Sequence, residues 1–350
     1  MSLVKKEEWW EETRNFKKTV KEEYLDINET LAELENNSSV IRLELNTIEL
    51  PLFSKDPKRI KNQIKIYHFK TDKSSYLEIE APANYSIPGE FEERVFIALT
   101  KIMKNNNYSR SFVVSANEIL ETLGLSNKAY YKRIREALTL LSKTNYTFLN
   151  SLYSNKESGI IEKKIISSIM NITIISKKDS RAKEIEAFED GRIKEVYEIN
   201  FTDYFYENII RKGYLAFDSG KLLAIENSVS RAIYTIVEKW RGYDLYIKRQ
   251  AFFIARRIPL KWDKTQIKRT IDTMEKALIE LRNLNLIKDY KIIKEKKWEL
   301  AEIEITYEES HNKTKRDTFF TEKNEFNSMD MLVTSTEEKI KCISEDFQSG

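Results

Sequence analysis

Cysteine and histidine are almost missing from this chain of 350 residues: there is one cysteine, Cys342, and two histidines, His68 and His311. A lone cysteine excludes an internal disulfide framework and fits a reducing compartment. With two histidines far apart, the chain cannot build a zinc finger. It also lacks the His-x-His pair that a metal-dependent nicking enzyme would set beside a tyrosine, and His68 reads as a structural residue of a strand. Glycine (8) and proline (5) are scarce, so long low-complexity loops are not expected between the ends. No glycine belongs to a G-x-x-x-x-G-K-[ST] loop, so the phosphate cradle of an ATPase is missing. No apolar run is long enough to cross a bilayer, and no signal-peptide core follows Met1. A cytoplasmic protein with no membrane partner is expected. The acidic residues are plentiful but lie on amphipathic helices, where solvation is the default. No catalytic residue, metal site or cofactor is expected, and the chain reads as a binding protein rather than an enzyme.

What is present is charge and a repeated pattern. Hydrophobic residues make up 41% and charged residues 33%, enough for substantial cores. The net charge of +3 conceals an asymmetry. Residues 1–35 hold six basic and ten acidic side chains, and residues 307–350 hold the same numbers. The middle, 36–306, therefore carries +11, and 256–298 alone has thirteen Lys and Arg against six Asp and Glu. Positive charge gathered between acidic ends suits a polyanion.

The pattern occurs over 112–154 and again over 245–306. Each copy is a short strand, a short apolar helix, a tight break, a long basic helix and an alternating hairpin. That order is a winged helix, a helix-turn-helix with a β-hairpin attached, and it points to duplex DNA. The fold class expected is α+β, with two tandem winged-helix domains over 40–180 and 195–306. An N-terminal helical extension (1–38) precedes them and a disordered acidic tail (307–350) follows.

In the first copy Ser115 is the expected cap of the short helix, Gly124 closes it in a left-handed conformation, and Ser126 caps the long helix 127–143. Tyr130, Ile134, Ala137, Leu138 and Leu141 fall on its inner face. Lys128, Tyr131, Lys132 and Arg135 are left outside near the end that enters a major groove. Strands near 146–153 and 163–176 are expected to form its wing, with 177–194 a linker. The second copy starts near Glu195, has a scaffold helix over 221–241 and places its long helix over 264–284. There Ile267, Ile271, Met274, Leu278 and Leu281 form the buried stripe. Lys264, Thr265, Gln266, Lys268, Arg269 and Thr273 face out. Arg and Lys favour guanine and Gln favours adenine, so this helix is the expected base reader. Lys294, Lys296 and Lys297 gather at the tip of the second wing.

Over 1–38, Val20, Tyr24, Ile27, Leu31 and Leu34 follow a 4-3-4-3 seam of about two heptads, beside Trp9 and Trp10. This helix is expected either to pack on the first unit or to support a homodimer.

With these elements placed, the chain resembles the plasmid replication initiator protein A family and the wider group of tandem winged-helix initiators. The likeness runs from about Leu43 to Tyr307. Its markers are LPLF at 50–53, FEERVFIAL at 91–99, SNKAYYKRIREALTLLSKTNY at 126–146 and SRAIYTIVEKWRG at 230–242. One departure is SIPGEFEE at 86–93, where relatives carry a glycine-led turn before an aspartate. The resemblance implies binding to repeated duplex sites at a plasmid origin, melting of adjacent DNA, and contacts with the host initiator and replicative helicase. The rival readings are a winged-helix transcriptional repressor without origin activity and a scaffold protein whose charged helices bind proteins.

Overall fold

The computed structural model describes residues 39–70, 73–176, 195–262, 265–294 and 296–312. The expected N-terminal helix, the stretch 177–194 and residues 313–350 of the acidic tail lie outside the described residues.

Strand β1 (Val40–Glu44) and the short helix α1 (Leu45–Glu49) lead into β2 (Ile64–His68) and β3 (Tyr76–Glu80), which pair antiparallel. In β3, Leu77 and Ile79 are buried while their neighbours are not, the two-residue period of a half-buried strand. Helix α2 (Glu90–Asn105) turns Phe91, Val95, Ala98, Leu99 and Ile102 inward, the face its sequence predicts. Glu92 folds back to accept from the Gly89 N–H at 2.7 Å. That bond satisfies a donor at the helix start and puts negative charge at its positive end.

The repeated unit follows. Strand β4 (Ser111–Val114) leads into α3 (Ala116–Thr122), whose first turn is capped by Ser115, its hydroxyl accepting from the Glu118 N–H at 3.1 Å. Gly124 sits at φ +70°, a conformation that costs a residue with a Cβ about 1 kcal/mol. The long helix α4 (Tyr130–Lys143) buries Ile134, Ala137, Leu138, Leu140 and Leu141. Its start differs from the sequence expectation. Ser126 caps nothing there; Asn127 makes the turn, its side-chain oxygen accepting from the Ala129 N–H at 2.9 Å, and the helix begins only at Tyr130.

The chain then runs through β5 (Asn145–Leu149), a short hairpin of β6 (Tyr153–Ser154) and β7 (Gly159–Ile160), and β8 (Lys164–Ser167). It continues into β9 (Met170–Ser176) and β10 (Glu195–Phe201). Strands β5 and β8 do pair, as expected, but they extend the earlier hairpin into a four-stranded sheet of order β2-β3-β5-β8. The hairpin that closes the first unit is instead β9 with β10, and β10 pairs back onto β4. The strand at Glu195, read from sequence as the start of the second unit, is thus the central strand of the first unit's sheet. Its burial explains this: Val196, Tyr197, Ile199 and Phe201 are all buried. Its backbone is paired on both edges, and Tyr197, Ile199 and Phe201 project from one face into the core.

Helix α5 (Asp203–Ile210) and β11 (Tyr214–Asp218), which pairs with β1, connect to the second unit. The scaffold helix expected over 221–241 is two helices, α6 (Ser219–Ala224) and α7 (Ser228–Arg241). Asn227 breaks it by capping α7, its side chain accepting from the Val229 N–H at 2.8 Å. Strand β12 (Tyr246–Gln250), α8 (Ala251–Arg257), α9 (Ile267–Asn283), β13 (Asp289–Ile293) and β14 (Glu302–Thr306) complete the unit. Its sheet order, β12-β14-β13, matches β4-β10-β9 strand for strand. In both units the strand before the helices pairs with the last strand of the hairpin. The first unit differs by the insertion of β5 to β8 between long helix and hairpin.

The tail expected from 307 onward is packed at its start. Tyr307 is buried beneath the Arg241 guanidinium, 3.8 Å from its ring centre, and Asn312 is buried and accepts from Arg241 at 2.8 Å.

Candidate nucleic-acid interface

The buried stripe of α9 is Ile267, Thr270, Ile271, Met274, Ala277, Leu278 and Leu281. Burying that stripe turns the remaining side chains of the first two turns outward at helical spacing. Thr265, Gln266, Lys268 and Arg269 are exposed, and Thr273 is half-buried, its hydroxyl donating to the Arg269 carbonyl at 2.9 Å. Lys264 lies outside the described residues. Lys268 bonds both oxygens of Asp272, at 2.9 and 3.0 Å, so part of its charge is met within the helix.

Gln266, Arg269 and Thr273 line one wall of a groove of about 970 Å³. The opposite wall is β2 with the loop before it, which brings Lys58, Lys65, Tyr67 and His68. Arg256, Lys261 and Trp262, between α8 and α9, form the end nearest the helix start. Seven Lys and Arg side chains line the groove. Two of them, Lys55 and Arg257, are paired with Glu93 and Glu49 behind the wall, and the other five share the lining with a single carboxylate, Asp56. Low-dielectric walls lined by one sign of charge focus the field, so this groove attracts an anion. The sequence reading missed Lys58, Lys65, Arg256 and Lys261. The local signal was the basic run over 256–298; the contribution of β2 is visible only once the sheet is placed against α9.

At the second hairpin, Lys294, Lys296 and Lys297 are all exposed. The indole of Trp298 lies 4.9 Å from the Lys294 ammonium and 5.9 Å from that of Lys268. Both distances are within the reach of a cation–π interaction. Trp298 therefore couples the hairpin tip to the long helix, a role no periodicity reveals.

The first unit presents a weaker face. Lys128 and Lys132 are exposed. The Tyr131 hydroxyl donates to the Asn117 side chain on α3 at 2.8 Å, so it braces the two helices. Lys132 sits 3.9 Å from Glu136, and Arg135 lies 3.5 Å from Glu195 on β10. The structure does not bring the candidate residues of α4 into the groove that holds those of α9.

A family model described as replication initiator protein A matches residues 42–247. The chain belongs to the replication initiator protein A family. No match was found among curated proteins. The fold of this initiator is similar to a crystal structure of domains 2 and 3 of RctB, with a TM-score of 0.51 and 13% identity, covering 75% of this chain and 98% of that one. A second crystal structure of RctB domains 2–3 gives a TM-score of 0.47 at 13% identity, over 73% and 94% of the two chains. At this identity the likeness concerns the fold, a mixed helix and sheet arrangement. Among the described residues of the initiator, no cluster of three or more His, Cys, Asp or Glu could hold a metal ion, and no helix is long and apolar enough to cross a membrane.

Proposed function

We propose that this initiator binds duplex DNA through two winged-helix units, at repeated sites of a plasmid origin. The observation that carries this reading is the repeated strand-helix-helix-hairpin unit, with the long helix of the second copy opening onto a groove where five Lys and Arg side chains, besides the two paired with Glu93 and Glu49, face one carboxylate. Phosphate contacts from Lys58, Lys65, Arg256 and Lys261 supply salt-dependent affinity, and the exposed side chains of α9 supply sequence choice. No covalent chemistry is required. Several copies bound side by side strain the adjacent duplex, and the opened DNA receives the host initiator and helicase in the cytoplasm. Binding over its own promoter lets the same surface repress its gene and limit plasmid copy number. The 1–38 segment is proposed to pack on the first unit or to support a homodimer.

The test is binding to the DNA flanking the gene. Tandem direct repeats bound far more tightly than random duplex support an initiator; a lone palindrome bound by a dimer supports a repressor. Replacing Arg269 by Ala should cost about 1–3 kcal/mol at the cognate site if its guanidinium reads a base. If Arg269→Ala combined with Lys268→Ala leaves specific binding intact, α9 is not the base reader.

A further inference from the structure

The two repeated units meet along α1 and α2 on one side and α7 and α8 on the other, and six charged side chains lie buried, or nearly so, in that seam. Glu49, at the end of α1, is fully buried. Its carboxylate oxygens lie 2.5 Å from the Lys239 ammonium on α7 and 3.5 Å from the Arg257 guanidinium on α8. Glu93, on α2, sits between Lys55 at 2.7 Å and Arg231 on α7 at 3.1 Å. Burial raises the pKa of each glutamate, but the paired cations outweigh it and hold both below the ordinary carboxylate range: Lys239 and Arg257 for Glu49, Lys55 and Arg231 for Glu93. Both carboxylates are therefore charged at neutral pH.

Hydrophobic contact between two bodies tolerates sliding, because dispersion and burial are non-directional. A buried ion pair does not, since moving either partner leaves a charge unpaired in low dielectric. Replacing such groups by apolar ones of the same volume is often neutral or stabilising, so stability alone does not account for them. Here each triad takes its acid from the first unit and at least one cation from the second. Two such points, at Arg231 in the first turn of α7 and Lys239 in its last, resist translation of the units and any rotation that tilts α7.

We propose that these triads lock the two DNA-binding units in one relative orientation and so fix the spacing between the DNA segments they contact. The inference rests on the proposed function for its DNA consequence, but the lock itself is measurable without DNA.

The experiment uses the full chain with Cys342→Ser, spin-labelled at Lys143→Cys on α4 and Lys276→Cys on α9, both exposed positions. The parent should give one narrow distance distribution. The variant Glu49→Leu/Lys239→Met/Arg257→Met removes one triad without leaving a lone buried charge and should fold, yet show a distribution about twofold broader or split in two. Arg257→Met alone is the second variant; it keeps Lys239 against Glu49 and should give an intermediate width. Folding is checked by a cooperative melt. A folded triple variant with the parent's width overturns the proposal, as does a broad distribution in the parent.

The second readout uses duplexes that the parent selects from a randomised pool, with about five base pairs then inserted between the two protected segments. Half a helical turn puts the second segment on the wrong face, so the locked parent should lose about 100-fold and the variant about tenfold or less. Equal losses overturn the spacing claim. If the parent selects no duplex, the DNA reading fails while the label distances still decide the lock.

Discussion

Glu44 shows how far a single residue can depart from its solution chemistry in this fold. It is 1% exposed, with Oε1 accepting from the amides of Asn46 and Asn208, both at 2.6 Å, and Oε2 from the Thr47 N–H at 3.0 Å. Burial pushes its pKa up to about 7, and the bonds from Asn208, Asn46 and Thr47 offset only part of that. In the unfolded chain a glutamate titrates at about 4.3. The folded protein therefore keeps a proton that the unfolded chain loses between those two values. Folding binds that proton, so stability falls as pH rises from about 4.3 to about 7 and levels off above. The whole shift corresponds to a loss on the order of 4 kcal/mol. Glu44→Gln cannot ionise, so its stability should decline less between about pH 5 and pH 8 than that of the unaltered protein. Urea midpoints of both proteins at the two pH values measure this, and identical declines would show that Glu44 does not titrate in this range.

At the level of elements, the two long helices differ in what they can do. Helix α9 carries Gln266, Arg269 and Thr273 into a cationic groove. The basic residues of α4 are partly met by Glu136 and Glu195, and the Tyr131 hydroxyl is engaged by Asn117. The expected role of α4 is to touch phosphate, with little base choice. Substituting Lys132 and Arg135 by Gln should weaken cognate and random duplex about equally, and should reduce the log–log salt slope by about one for each phosphate no longer neutralised. A weakening confined to the cognate duplex would contradict this. The periodicity of both helices was legible because each stripe recurs every three or four residues against one core. The pairings of β5 with β8 and of β13 with β14 were legible too, but the place of each strand in its sheet was not, because alternation does not say which edge a strand joins.

In the molecule as a whole, one apolar core runs without interruption from Ile41 through α2, α4 and α7 to Tyr307. Strand β11 pairs with β1 over a long separation in sequence, Val40 opposite Asp218, and the buried charges of Glu49 and Glu93 have partners in the other unit. Unfolding either unit alone would expose that seam, so the two are expected to unfold together. Far-ultraviolet circular dichroism and tryptophan fluorescence should give coincident urea transitions. Separate midpoints for the two signals would mean that the units are stable independently.

The sequence by itself determined the local units: the apolar stripes of α2, α4 and α9, the cap at Ser115, the left-handed Gly124, the repeated order of strand, helix, helix and hairpin, and the surplus of positive charge in the middle. The stripes and caps depend on residues within a few turns of one another, and the order of elements and the charge surplus are read directly along the chain. Only the tertiary structure decided that β10 closes the first unit, that β2 faces α9 across a groove, that Trp298 links hairpin to helix, and that Glu49 and Glu93 meet their cations. The last of these join residues as distant in sequence as Glu49 and Lys239. Such pairings are chosen by what the whole fold leaves unburied or uncompensated, and no local period carries that information.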